Sequence, residues 1–470
     1  MSRTPPCTCG AVRLRRRDLL LAGTASLLLA ACGGGSDSDS GALPAGPRVP
    51  AETEPHQAML LASPTLEYKQ GWSNLLTQVE MVQALITELP VVYLCNAGPD
   101  GQPAAADVAA LREALLQRGV PAALLAQRLR FVTAAHADYW LRDYGGIFLH
   151  DGQGGLSVVD FEFDGYGYLP FAGPVTRAVY EHDNDLSLRV ASALGHGVRR
   201  SSLVAEGGNL HFNGRGTVVA TELGLLGRNP GLSRPQVEQE LRRSLGVRHV
   251  IWLPRGLATD AHTVLQTPYD FGKDPVYNIG VNHIDELVAW VDDRTLLLPE
   301  VTDADLAAAA AVGDPLAALN RSILDEAARL LSQATDQDGR PLTVVRVPEP
   351  GSILVELVPG DGAYEFIADL DAHPVHRLGG AERFRRREPV RMALPASYMN
   401  FIVTNGLVLV PRFHKPGRDA ALAGKDQLFQ QIVAARYPGR RVVAIDVDAL
   451  VVGGGGMHCI SQHLPAVPAA

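Results

Sequence analysis

The sequence predicts an α/β protein, and three observations carry that reading. Short apolar runs rich in β-branched residues alternate along the chain with segments of helical spacing. Near the C-terminus the alternation resolves into a β-α-β unit: strand Phe401 to Val410, helix Asp419 to Arg436, a Pro438-Gly439 stop, then strand Arg441 to Ile445. Hydrophobic residues make up 46% of the chain, which marks it as globular. Earlier elements follow the same signals. Asn74 to Leu89 is helical in spacing and stops at Pro90, Val91 to Cys95 reads as a buried strand, and Ala104 to Gln117 is a helix closed by Gly119. Further strands are expected at 146–149, 156–159, 217–220 and 249–252, and the last helix is expected to bury Leu428, Ile432 and Ala435. Two segments interrupt the alternation and read as insertions: 263–282, rich in Pro, Tyr, Asp and Gly, and 302–391, with helices Asp305 to Val312 and Asn320 to Gln333.

The first residues read as an address rather than as fold. Arg15-Arg16-Arg17-Asp18 leads into the apolar stretch Leu19 to Ala31, which is too short to span a bilayer and has the shape of a secretory signal peptide. The paired arginines resemble a twin-arginine signal, and Leu29-Ala30-Ala31-Cys32 resembles a lipobox whose cysteine is lipidated after cleavage. Residues 1–31 are thus expected to be removed, 32–50 to be a flexible tether, and 51–470 to be the catalytic domain, membrane-bound through its lipid alone. The signal carries five arginines and one aspartate, so its loss moves the net charge from −9 to −13. No basic footprint for nucleic acid is left. Of five cysteines, only Cys95 and Cys459 then remain in the exported body. Cys95 sits in an apolar strand, where a free thiol behaves as a small hydrophobe, which leaves Cys459 unpaired.

Cys459 follows Gly453-Gly454-Gly455-Gly456-Met457-His458, and four glycines before a lone cysteine read as a loop of close approach carrying a nucleophile. Three other segments hold acids, histidine or glycine that a plain core would not need: Trp140 to Gly145 with Asp143, Glu206-Gly207-Gly208-Asn209, and Asn282-His283-Ile284-Asp285-Glu286. In acyl transfer the reacting oxygen becomes an anion and needs N–H donors, so crowded carboxylates would raise the barrier. A cationic electrophile reverses that logic. A guanidinium is planar, permanently charged, and offers five N–H groups that carboxylates grip bidentately. Asp143 and Asp285 would hold it with its central carbon facing Cys459.

These segments, with Ile251 to Gly256, Thr221-Glu222, Arg228-Asn229-Pro230 and Ala396-Ser397-Tyr398-Met399-Asn400, resemble the bacterial peptidylarginine deiminase and agmatine deiminase family, in order from about residue 140 to residue 465. The resemblance implies a pentein fold: five pseudo-symmetric ββαβ units around a short axis, with the active site in the central channel. It further implies Cys459 as nucleophile, His283 as general acid/base, Asp143 and Asp285 as guanidinium-binding carboxylates and Glu206 as the acid that orients the histidine. Trp140 and Asn400 are the added candidates for substrate contact. The chain departs from the family pattern with Gly145-Gly146 after Asp143 and with Glu286 after Asp285, a third carboxylate that either tunes the site or faces away.

The expected reaction is hydrolytic deimination of an arginine residue or arginine derivative to a ureido product and ammonia. Peptide- or protein-bound arginine is preferred over agmatine because the chain is addressed outward. No cofactor is implied. A zinc set drawn from Cys459, His463, His283 and Asp285 lacks a Cys-x-x-Cys or His-Glu-x-x-His spacing, and the glycine run lacks the Lys-Ser/Thr of a phosphate loop. Rival readings are a catalytically silent guanidine-binding lipoprotein, which would not need the thiol, and a papain-like protease, in which cysteine precedes histidine.

Overall fold

A hairpin, a helical crossover and a third strand parallel to the second recur four times after a first, N-terminal unit of three parallel strands, and each repeat makes one small mixed sheet. The computed structural model describes residues 46–261, 269–271, 275–371 and 387–467; for Asp371 it describes the backbone alone. The predicted signal, Cys32 and the first part of the tether lie outside them. The described residues fall in one compact unit.

Strand β1 (His56–Ala62) leads through the helix Asn74–Leu85 to β2 (Val91–Cys95), and two more helices lead to β3 (Leu129–Thr133). The second repeat is β4 (Ile147–His150), β5 (Leu156–Glu162), two helices and β6 (Gly197–Val204). The third is β7 (His211–Phe212), β8 (Thr217–Thr221), the helix Arg234–Leu245 and β9 (His249–Leu253). After β10 (Tyr269–Asp270) and β11 (Pro275–Tyr277) comes the fourth: β12 (Ala289–Trp290), β13 (Thr295–Glu300), the helix Leu316–Gln333 and β14 (Thr343–Pro348). Beyond β15 (Leu354–Leu357) and β16 (Val390–Ala393) lies the fifth: β17 (Ile402–Val403), β18 (Leu407–Arg412), the helix Ala421–Arg436 and β19 (Arg441–Asp446). The final strand β20 (Ser461–Pro465) returns to pair antiparallel with β1, so the C-terminal segment completes the N-terminal sheet. Parallel pairing within each repeat demands a crossover of helical length, which is why strands and helices alternate in the sequence.

The middle strands read as continuous apolar runs because they are covered on both faces: every residue of β8, and all of β18 but Arg412, is buried. Local chemistry sets the helix ends. Ser73 caps the helix Asn74–Leu85 by accepting from Leu76 N, and a Ser233/Gln236 capping box starts Arg234–Leu245, which Gly246 ends in a left-handed turn at φ +72°. Among the described residues no helix is long and apolar enough to cross a membrane.

Four expectations need correction. The strand expected over Phe401 to Val410 is a hairpin, because Asn405-Gly406 supplies a turn and Thr404 N bonds Leu407 O at 2.8 Å. The last helix buries Leu422, Asp426, Phe429 and Val433 rather than the predicted stripe, and Leu428 is exposed. Asp426 hides that stripe from a hydrophobicity reading: it accepts from Tyr398 Oη at 2.6 Å and from the backbone N–H groups of Phe413 and His414. Beside it Phe429 stacks on Tyr398 with ring centres 4.8 Å apart, a burial worth about 1.5–3 kcal/mol. The segment 302–391 is not one insertion, because its helix Leu316–Gln333 and β14 complete the fourth repeat. What is added is a sheet of order β10-β11-β16-β15, drawn from both predicted segments, and the helix Gly362–Asp371. The tether, finally, ends before residue 48: Arg48 is buried, exchanges backbone hydrogen bonds with His150 and pairs with Glu54 at 2.7 Å.

Candidate active site

Each segment that links one repeat to the next carries one part of the site. Trp140 and Asp143 lie between β3 and β4, Glu206 between β6 and β7, His283, Asp285 and Glu286 between β11 and β12, Asn400 between β16 and β17, and Cys459 between β19 and β20. Repeats that share a direction bring equivalent links to one place, and links are free to carry polar groups that strands buried on both faces cannot.

The glycine run is required by contact. A Cβ on Gly453 would lie 2.4 Å from the Tyr68 ring, on Gly455 2.8 Å from Cys459 Sγ, and on Gly456 2.6 Å from Asn400 Oδ1. The loop therefore packs backbone directly on the site. Asn400 fixes it: Oδ1 accepts from His458 N at 2.8 Å and Cys459 N at 3.3 Å, while Nδ2 donates to Cys459 Sγ at 3.0 Å. Asn400 thus grips the nucleophile's loop from behind and does not line the cavity, contrary to its expected place against substrate.

His283 is fully buried, with Nδ1 3.5 Å from Asp143 Oδ1 and Nε2 3.8 Å from Glu206 Oε2. Both are ion-pair contacts too long for hydrogen bonds, and both ring nitrogens lack a hydrogen-bond partner. Burial opposes charge on the ring, but Asp143, Glu206 and Asp285 outweigh it and raise His283 to about 9. Asp143 receives Tyr166 Oη at 2.9 Å and Gly208 N at 3.0 Å, yet burial lifts it to about 6. Glu206 goes the other way. Burial would raise it, but Arg228, whose Nε lies 2.9 Å from Oε1, and His283 hold it at about 2.

Asp285 Oδ2 accepts from His458 Nδ1 at 2.7 Å and lies 3.5 Å from Cys459 Sγ, whereas its buried Oδ1 has no hydrogen-bond partner among the described residues; like Asn400, Asp285 is not among the residues that line the cavity. Against burial, the His458 hydrogen bond and charge keep Asp285 below the ordinary carboxylate value. The thiol is driven upward: burial, then Asp285 and Asp143, raise Cys459 well above a free cysteine, and the Asn400 N–H pulls it back.

Sulfur, Asp143 and the Trp140 wall open on a cavity of about 420 Å³. Its sides are aromatic, with Tyr68, Tyr166, Tyr168 and Phe366, and among the described residues its charged lining is acidic: Asp138, Asp143, Glu365 and Asp369. Trp140 is held in the wall by Nε1 donating to Tyr68 Oη at 2.8 Å. Phe366, Glu365 and Asp369 come from the added helix Gly362–Asp371, so the added structure reaches the site.

Several working residues escaped sequence reasoning. His458 bridges Asp285 to Glu52, which it meets through Nε2 at 2.7 Å, and Arg142 backs Glu52 at 3.1 Å. Asp260 receives His283 N and Val281 N, both at 2.8 Å, and so aims the histidine's backbone. No local motif marks Glu52 or Asp260. Arg228 stood inside a motif, but its role beneath Glu206 was not legible. Glu52, His211 and His458 also form a set with metal-ligand spacing. Arg142 beside Glu52 already supplies the positive charge there.

Residues 48–465 match the family described as Porphyromonas-type peptidyl-arginine deiminase. A putative agmatine deiminase of Streptomyces avermitilis is 30% identical over 425 residues, covering 89% of this chain and 97% of that protein. The agmatine deiminase of Stutzerimonas stutzeri is 30% identical over 348 residues, 73% of this chain and 79% of its own. Among solved structures, the agmatine deiminase of Enterococcus faecalis superposes with a TM-score of 0.64 at 23% identity, over 90% of this chain and 98% of that one. The putative arginine deiminase of Porphyromonas gingivalis gives 0.61 at 25% identity, over 89% and 98%. The fold is the pentein fold, and the chain belongs to the Porphyromonas-type peptidyl-arginine deiminase family, whose members hydrolyse guanidino groups.

Proposed function

We propose that Cys459 attacks the guanidinium carbon of a substrate held between Asp143 and Asp285, and that His283 moves the protons. The observation that carries this is a buried thiol at the foot of a cavity whose charged lining, among the described residues, is acidic. Protonated His283 gives its proton to the departing nitrogen as the C–N bond breaks, ammonia leaves, and a cationic thiouronium stays on sulfur. Water then enters, His283 takes one of its protons, the new C–O bond forms, and the C–S bond breaks to release the thiolate and a ureido product whose remaining hydroxyl proton passes to solvent. Glu206, itself fixed by Arg228, holds the ring for both transfers.

For substrate, the cavity supports a guanidine without a carboxylate at its far end. Among the described residues no lysine, arginine or histidine lines it to receive the carboxylate of free arginine. Glu365 and Asp369 favour a cationic far end, and so a guanidinoalkylamine of the agmatine kind. A second reading, arginine within a peptide, rests on the outward address in residues 1–31 and on anchoring at Cys32, with extracytoplasmic location as its corollary.

Ammonia release from agmatine, free arginine, and peptides with internal or C-terminal arginine tests the assignment. Agmatine is expected to react and free arginine to lag far behind; turnover of internal-arginine peptides alone would select the second reading. Full activity in Cys459→Ser would end the scheme. Labelling with radioactive palmitate, lost in Cys32→Ser, checks the anchor.

A further inference from the structure

Glu286 is a carboxylate that the deimination scheme leaves without a task. The structure turns it inward at 2% exposure, with Oε1 4.0 Å from Cys459 Sγ and Oε2 without a hydrogen-bond partner. The acids facing it are Asp285, Asp260 and Asp143. The nearby cations are committed elsewhere: His283 to Asp143 and Glu206, His458 to Asp285 and Glu52. An ionised Glu286 would add a buried anion with neither a free cation nor an N–H donor among the described residues, an arrangement that folded proteins avoid. A neutral carboxylic acid instead has an O–H to give. The acceptor at hand is the sulfur, which already receives the Asn400 N–H at 3.0 Å.

We propose that Glu286 is an uncharged acid that donates its O–H to Cys459 Sγ and, with the Asn400 amide, forms a two-donor cradle for the thiolate that attacks the guanidine carbon. The inference rests on Cys459 being the nucleophile. Burial, with Asp285 next, pushes the Glu286 carboxyl well up, in the direction the cradle needs. The thiol proton leaves through the open cavity as the cationic substrate enters, and Glu286 keeps its own. It touches the reacting sulfur from behind, as Asn400 does, while the front of the sulfur stays open to the cavity.

The test is the pH dependence of iodoacetamide alkylation at Cys459 in the full-length protein without substrate, resolved from the other cysteines by peptide mass spectrometry. It reads the thiol directly, so it stands even if no guanidine is turned over, whereas activity retained in Cys459→Ser would break the underlying assignment by itself. Glu286→Gln keeps a donor and no charge, and its alkylation midpoint is expected within about 0.3 pH unit of wild type. Glu286→Leu removes the donor and is expected to raise the midpoint by about one unit, a tenfold loss of thiolate at fixed pH. A midpoint that drops by about a unit or more in Glu286→Gln shows that the carboxyl was ionised and overturns the proposal. An unmoved midpoint in Glu286→Leu overturns it as well.

Discussion

Gly208 offers the sharpest test of the site, because one added methyl group would meet three functional side chains at once. The residue is buried in the turn between β6 and β7; its N–H donates to Asp143 and its carbonyl accepts from Asp285 N at 3.1 Å. A Cβ there would lie 2.6 Å from Asp143 Oδ1, 2.6 Å from His283 Nδ1 and 3.2 Å from Asp285 Oδ2. Relief to the 3.4 Å of ordinary contact takes a shift of 0.8 Å for both Asp143 and His283. The φ of Gly208 is outside the left-handed region, so alanine meets no backbone penalty and the effect is steric alone. A misplacement of about 1 Å in a positioned site costs on the order of 10²-fold, or about 2.7 kcal/mol of barrier. Overpacking of the fold adds about 1–3 kcal/mol of lost stability. The assay is kcat/KM for ammonia release, with urea unfolding measured in parallel. Gly424→Ala is the control, since a Cβ there meets nothing within 4 Å. A Gly208→Ala enzyme within about threefold of wild type would refute the placement of these groups, because it would mean that Asp143 and His283 do not work where they stand.

The remaining predictions concern charge. Asp143 must be ionised to grip a guanidinium and His283 protonated to release ammonia, so activity with saturating guanidine, whose charge ionises the thiol, is expected to fall off below about pH 6 and above about pH 9; a profile flat from pH 5 to 10 would be inconsistent with these roles. Tyr166→Phe removes a hydrogen bond that lowers Asp143, and should move the acid limb upward while leaving the alkaline limb in place. Stability should follow His283 as well. Its folded value of about 9 lies above the ordinary 6.5, so its contribution, about 3 kcal/mol, is full below pH 6.5 and lost as pH rises through 9, which urea unfolding across that window reads directly. Arg228→Leu strands Glu206, whose side chain is wholly inaccessible, and should cost about 3–5 kcal/mol of unfolding free energy together with the histidine's alignment.

Much of this site could be read from the chain because each component stands in a short link with its own signature. Four glycines ahead of Cys459, two after Glu206, and His283 two residues before Asp285 are local patterns, and the structure gives each a steric or electrostatic cause. The supporting shell could not be read in that way. Glu52 meets His458 across 406 positions, and nothing in the residues around it distinguishes it from a solvated turn acid. Glu286 was ambiguous for another reason. Neighbouring side chains on a strand point to opposite faces, but residues 284–287 form a turn, so Asp285 and Glu286 both reach the sulfur. The fourth repeat was obscured because the alanine-rich helix before its crossover helix buries no residue and made the whole segment look peripheral.

The charge balance of the empty site bears on how the nucleophile is switched on. Asp143, Glu206, Asp260, Asp285 and Glu286 are buried together with Arg228, His283 and His458, and Arg228 is paired with Glu206. Carboxylates around the sulfur hold Cys459 in its thiol form, the wrong form for attack. A guanidinium bound as proposed would change that balance: it would satisfy Asp143, and its positive charge would face the sulfur. The molecule to be cleaved is then also the cation that deprotonates the thiol. A neutral amide in the same cavity brings no such charge and would meet an inert SH group among acids, so selectivity for guanidines over carbonyl substrates follows from the resting protonation of Cys459 as much as from the shape of the cavity.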